Sequence, residues 1–214
     1  MKHYKGISNK KRMINIIEIL KSEYPDSKCS LNYQSAFQLL VATILSAQCT
    51  DKRVNLVTNK LFNNYSKPEH FKNLTINEIG RTIYSTGFYN NKAKSIKGMV
   101  NILLSDYHGK VPNDINKLIK LPGVGRKTAN VVLGNYFNIP SLVVDTHVTR
   151  ISNLLKFVKT RNAIIIESKL SEIVEKNDWT LFAHLMIDHG RLICIANRPK
   201  CGKCVINKYC PSAN

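Results

Sequence analysis

The sequence predicts an all-α fold on three observations. Apolar residues recur with a helical period almost throughout the 214-residue chain. No stretch alternates apolar and polar residues for long enough to build a sheet. Short punctuation at Pro25, Gly87, Gly109, Pro112 and Pro140 separates the helical stretches, several of which open on an Asp, Asn or Ser suited to N-capping.

Taken in order, a helical period first runs over residues 13–21, and further helices are expected to begin near Ser35, Asp51, Asn77, Asn91, Asn113, Arg126, Asp145, Asn162 and Trp179. At 43% hydrophobic, the chain can bury one substantial core or two small ones. No internal repeat and no low-complexity linker is present, so composition marks no domain boundary. The N-terminus is basic (Lys2, Lys5, Lys10, Lys11, Arg12), but Asn15, Glu18 and Lys21 interrupt the apolar residues of 13–21, which excludes a signal-peptide core. No apolar run approaches the roughly 18 residues that span a bilayer, since Gln38, Thr43 and Ser46 break even residues 36–47. A cytoplasmic protein without a membrane partner is the expectation.

Charge points to a polyanion. Lys and Arg number 32 against 14 Asp and Glu, a formal charge of +18, which is the footprint of a nucleic-acid partner. The competing account is compositional: Lys, Asn and Ile are all plentiful, as an AT-rich coding bias would make them.

Three constellations carry chemistry. The first is Leu121-Pro122-Gly123-Val124-Gly125-Arg126-Lys127, followed by a renewed apolar face through Leu133. Pro122 stops one helix, and Gly123 and Gly125 are expected to permit a tight turn with positive φ, giving a helix-hairpin-helix near residues 113–134. Such a hairpin suits a nucleic-acid backbone. Its glycines let main-chain N–H groups approach a phosphate, and the second helix points its positive end at the same anion. The second constellation pairs Lys127, in the first turn of that helix, with Asp145 of Val143-Val144-Asp145-Thr146-His147. An ordinary reading makes Lys127 a solvated charge and Asp145 an N-cap. The functional reading makes the amine a nucleophile at a sugar carbon and the carboxylate a stabiliser of the positive charge that develops there.

The third is Cys194-x6-Cys201-x2-Cys204-x5-Cys210, with Arg198, Lys200 and Lys203 interleaved. In a reducing compartment this crowding favours metal ligation over disulfides. Four thiolates on a compact loop can hold a tetrahedral zinc or a [4Fe-4S] cube; only one CxxC pair is present, which leans toward the cube without excluding zinc.

Hairpin, lysine, aspartate and four cysteines in this order resemble the endonuclease III family of the helix-hairpin-helix DNA glycosylase superfamily. The resemblance runs from about Lys11 to Pro211 and extends to Leu45-Ser46-Ala47-Gln48-Cys49-Thr50-Asp51, Gly87-Phe88-Tyr89-Asn90-Asn91-Lys92-Ala93 and His189-Gly190-Arg191-Leu192-Ile193-Cys194. It implies Lys127 as a Schiff-base nucleophile, Asp145 as its catalytic partner, and Cys194, Cys201, Cys204 and Cys210 as ligands of one [4Fe-4S] cluster. It implies backbone contacts to DNA at Gly123, Val124 and Gly125, probing of the duplex by Gln48 and Phe88, and phosphate contacts from Lys200 and Lys203. The ordinary alternative for Phe88 is a core aromatic.

The resemblance also implies two helical domains with a DNA cleft between them: a six-helix barrel over residues 29–139, and a cluster domain joining residues 1–28 to 140–214. The implied activity is a base-excision N-glycosylase and abasic-site lyase acting, as a monomer, on double-stranded DNA that carries oxidised or ring-saturated pyrimidines or abasic sites. The alternatives are a monofunctional glycosylase of the same superfamily, which would activate water and lack Lys127, a non-catalytic DNA-binding hairpin protein, and a zinc-stabilised structural protein. Two departures stand out: Cys49, where relatives often carry a small residue, and a roughly seven-residue basic leader, expected to be disordered.

Overall fold

The structure is a computed structural model that describes residues 6–213, and every regular element among them is helical. Lys2 and Lys5 of the basic leader lie outside the described residues. The α-helices are α1 (Asn9–Glu23), α2 (Ala36–Leu45), α3 (Asp51–Asn64), α4 (Ile76–Ile83), α5 (Tyr89–Asp106), α6 (Ile115–Leu118), α7 (Arg126–Asn135), α8 (Thr146–Leu154), α9 (Ala163–Ser171) and α10 (Trp179–Leu192). None of them is long and apolar enough to cross a membrane. The chain divides into two compact units, one running from Cys29 to Ile139 and the other formed by the segments up to Lys28 and from Pro140 onward.

The middle unit is built around α2. Every residue from Ala36 to Leu45 is buried, as a helix apolar on all sides requires, and α3, α5 and α7 pack against it. The Ser35 hydroxyl accepts the Gln38 N–H and starts the helix. Phe71, on a single 3-10 turn from Pro68 to Phe71, is fully buried and meets the edge of the Phe37 ring at 5.5 Å between centroids. Burying one such ring stabilises the fold by about 2–3 kcal/mol. The start of α4 is fixed by Thr75 and Glu78, whose side chains each bond the other's backbone N–H.

The unit formed by the chain's two ends buries Met13, Ile16, Ile17 and Leu20 of α1, spaced as one helical stripe. Against α10 lie α1 and α8, and Phe182, Leu185 and Met186 fill the space with no exposure. Arg12 fastens the N-terminal helix to the C-terminal segment. Its guanidinium lies 4.0 Å above the Phe157 ring and donates to the Tyr209 carbonyl at 3.2 Å.

Candidate functional site

The hairpin forms between α6 and α7. Asp114 caps α6 by accepting the Lys117 N–H at 3.0 Å, and the turn closes through Leu121 N–H to Leu118 O and Val124 N–H to Leu121 O, both 3.0 Å. Val124 is buried and pins the turn to the unit's core. Gly123 has φ +77°, and a Cβ there would stand 2.6 Å from Ser95 Cβ, so both backbone and packing require glycine. Gly125 corrects the expectation of a second positive φ. It is extended, with φ −87° and ψ 175°, and serves as the N-cap residue of α7. A Cβ on Gly125 would meet nothing within 4 Å. The glycine therefore clears space in front of the helix end, where an incoming phosphate would approach the N–H groups. Lys127 stands exposed in the first turn of α7.

Gln48 and Phe88 sit on two loops of the same unit. Both are exposed, Phe88 to 63%, which removes the core-aromatic reading. Both occupy the left-handed region, at φ +52° and φ +48°. Side-chained residues enter that region only where their surroundings demand it.

Asp145 is the N-cap of α8, its Oδ1 accepting the Val148 N–H at 2.8 Å. The cap fixes the carboxylate's position. Beyond α10, the chain folds into a loop with two 3-10 turns, Cys201–Lys203 and Asn207–Tyr209. Cys194, Cys201, Cys204 and Cys210 line one cavity of about 60 Å³, closed on its other sides by Ile151, Leu155, Ile193 and Ile206. All four are free thiols. Burial pushes the thiols of Cys194 and Cys210 up, and that of Cys204 up to about 11. Among the described residues, no three His, Cys, Asp or Glu side chains converge as ligands of one ion. Arg198, Lys200 and Lys203 are exposed on the same loop.

The sequence profile of HhH-GPD superfamily base excision DNA repair proteins matches residues 41–176, a span holding the hairpin, Lys127 and Asp145. The chain belongs to that superfamily. This HhH-GPD protein is 47% identical to Endonuclease III of Synechocystis sp. across 98% of its own length and 96% of the relative's. It is also similar to a solved non-covalent Endonuclease III–DNA complex, with a TM-score of 0.91 and 38% identity over 97% of both chains. A trapped Endonuclease III–DNA covalent intermediate gives the same score and identity, covering 97% of this chain and 98% of the other.

Other residues of the HhH-GPD chain escaped sequence reasoning. His189 is buried beneath the cysteine cavity, its Nδ1 3.0 Å from the Tyr24 hydroxyl and its Nε2 3.5 Å from Cys204 Sγ. Burial pushes its pKa down to about 4, and burial pushes Tyr24 up to about 12, so ring and phenol are both neutral near pH 7. A neutral ring that accepts from Tyr24 at Nδ1 carries its hydrogen on Nε2 and donates it toward the sulfur. Arg150 donates to the Cys194 carbonyl at 2.6 Å and to the Gly190 carbonyl at 3.2 Å, and a Cβ on Gly190 would collide with the His147 ring. The available signal was period: His189 follows Phe182, Leu185 and Met186 on the buried face of α10. Lys92 is likewise buried, on α5.

Proposed function

We propose that the chain is a bifunctional base-excision enzyme, a DNA N-glycosylase with abasic-site lyase activity, that removes oxidised or ring-saturated pyrimidines from double-stranded DNA. The observation that carries this reading is Lys127, exposed in the first turn of the hairpin helix, in a chain 38% identical to one trapped covalently on DNA. A monofunctional enzyme that activates water has no need of an amine there. A DNA-binding module has no need of a reactive amine or of a carboxylate partner such as Asp145.

In this reading, α7 presents its N–H groups and positive end to a backbone phosphate through Gly123, Val124 and Gly125. A base inside the stack is out of reach, so the nucleotide is swung out at a cost of a few kcal/mol. Gln48 bonds the orphaned partner base and Phe88 wedges into the hole. The free amine of Lys127 forms a bond to C1′ as the bond from C1′ to the base breaks, and the base leaves with a proton. Asp145 stabilises the positive charge that develops on the sugar. Opening of the ring leaves an imine, which acidifies the C2′ proton. Loss of that proton expels the 3′ phosphate, and water then releases Lys127.

Borohydride trapping tests the reading directly. Duplexes carrying an oxidised pyrimidine or an abasic site are expected to yield a covalent adduct of chain and DNA after reduction. No adduct with either would sink it.

The cysteine loop fits a [4Fe-4S] cluster held by Cys194, Cys201, Cys204 and Cys210. Four thiols set around a cavity suit a multi-atom core, whereas one zinc draws its sulfurs to about 2.3 Å from a single point. When bound, the cluster would supply a covalent cross-link that stiffens the loop presenting Arg198, Lys200 and Lys203. Anaerobically purified chain is expected to be yellow-brown with about four iron atoms per molecule. Stoichiometric zinc in protein made with ample iron would overturn the assignment.

Phosphate contact by this loop and the hairpin predicts a salt dependence. If about five phosphates are neutralised, log K falls against log salt with a slope of about −4 to −5. Replacing Lys200 and Lys203 with alanine is expected to make the slope shallower by up to about two units, equally on damaged and undamaged duplexes, because phosphate contacts position without specifying. A slope near −1 that ignores the double change, on the order of one contact, would assign the +18 charge to coding bias.

A further inference from the structure

Lys92 is 5% exposed, yet its ammonium group has partners at the ends of two different elements, each followed by a loop. Nζ donates to the carbonyl of Leu45 at 2.8 Å and to the carbonyl of Thr86 at 2.8 Å. Leu45 ends α2 and opens the loop that carries Gln48. Thr86 closes a short 3-10 turn and is followed by Gly87 and Phe88. Both acceptors belong to buried residues, where an unpaired carbonyl is unfavourable. A cation at the end of α2 also complements that helix's negative pole.

The two loops share a second property. Phe88 serves as the N-cap residue of α5 in a left-handed conformation with no side-chain cap bond, and Gln48 holds the same conformation. Neither is supported by a glycine at its own position, so the loop shapes depend on what anchors their flanks. Lys92 touches the flank of each. Burial lowers its pKa, and an ammonium group is retained at such a place only by good acceptors.

We propose that Lys92 is a positioning residue which clamps the Gln48 loop to the Phe88 loop and holds both in the shape that enters the duplex, an inference that rests on the function proposed above. Lys92 makes no contact with the reacting sugar in this scheme. It acts through Gln48 and Phe88, and therefore matters only where a base must be swung out and a hole filled.

The test compares two substrates with Lys92→Met, which keeps the unbranched stem and removes the charged donors. Base release from a duplex carrying an oxidised pyrimidine is expected to fall about 30- to 100-fold, the scale of an ångström-sized misplacement. Borohydride trapping on a single-stranded abasic oligonucleotide, which has no hole to fill, should stay within about threefold. A role in stability alone would lower both together, in step with the folded fraction read by thermal unfolding, and would overturn the inference. In a background carrying Gln48→Ala and Phe88→Ala, adding Lys92→Met should cost less than about twofold, because the loops it holds no longer act. Full additivity there would also overturn it.

Should Lys92→Met fail to fold, Lys92→Arg gives the same comparison, since its larger planar head must displace both carbonyls. The ratio of duplex to single-strand activity should then drop about tenfold, and an unchanged ratio would overturn the clamp. A wild-type chain inert on both substrates would remove the functional reading itself, whereas equal losses from an active wild type would remove only this inference.

Discussion

Lys127→Gln is expected to abolish base release and the borohydride-trapped adduct together, a loss of at least about 10⁴-fold, because the proposed reaction has no other nucleophile. The fold should not register the change. Lys127 is exposed in the first turn of α7, glutamine is as good a helix former, and such surface substitutions fall within about 0.5 kcal/mol. DNA affinity should drop by less than about threefold, since at most one of several cationic contacts is lost. Single-turnover base release, trapping and a binding isotherm on the same abasic duplex check all three. A mutant that still traps would move the nucleophile to another amine.

Asp145→Asn separates two roles that the proposed reaction and the fold place on one side chain. Oδ1 accepts the Val148 N–H, and asparagine ranks with aspartate as an N-cap, so α8 should keep its start and the melting temperature should move by only about 2 °C. In the proposed reaction, the charge stabilisation at the sugar is lost with the carboxylate. Single-turnover base release is therefore expected to fall on the order of 10³-fold, about 4 kcal/mol of transition-state stabilisation. Asp145→Ala removes the cap as well and should cost about 1 kcal/mol of stability on top of the same kinetic loss. If asparagine were fully active and only alanine impaired, Asp145 would be a cap and nothing more.

The sequence made the capped helix starts legible because capping chemistry is local. Ser35, Asp145 and Asn162 each bond an N–H two or three residues on, which spacing alone announces. The start of α5 lies two residues earlier than its expected place near Asn91, at Tyr89, because Phe88 opens it by backbone conformation with no capping side chain. Gly125 misleads for a related reason. A glycine signals freedom without saying whether positive φ or open space is what that freedom serves. Lys92 is unreadable in kind: it follows Asn90 and Asn91 like any solvated lysine, and one of its partners lies 47 residues away. The cysteine spacing leans toward the cluster without excluding zinc, and only the fold shows that the four thiols line one cavity.

The unit that houses the cysteines is assembled from both ends of the chain, which sets an order of events during synthesis. Helix α1 leaves the ribosome with Met13, Ile16, Ile17 and Leu20 as a bare apolar stripe, but α10, which packs against it, lies beyond Pro140. The segment from Cys29 to Ile139 carries its own core and can collapse in the interval. Translation at about 5–20 residues per second leaves α1 waiting for roughly 8–30 s. A nascent chain stalled before Cys194 would thus hold the hairpin and Lys127 but none of the four cysteines that line the cavity, so uptake of the proposed cluster would follow translation of the segment that carries Lys127.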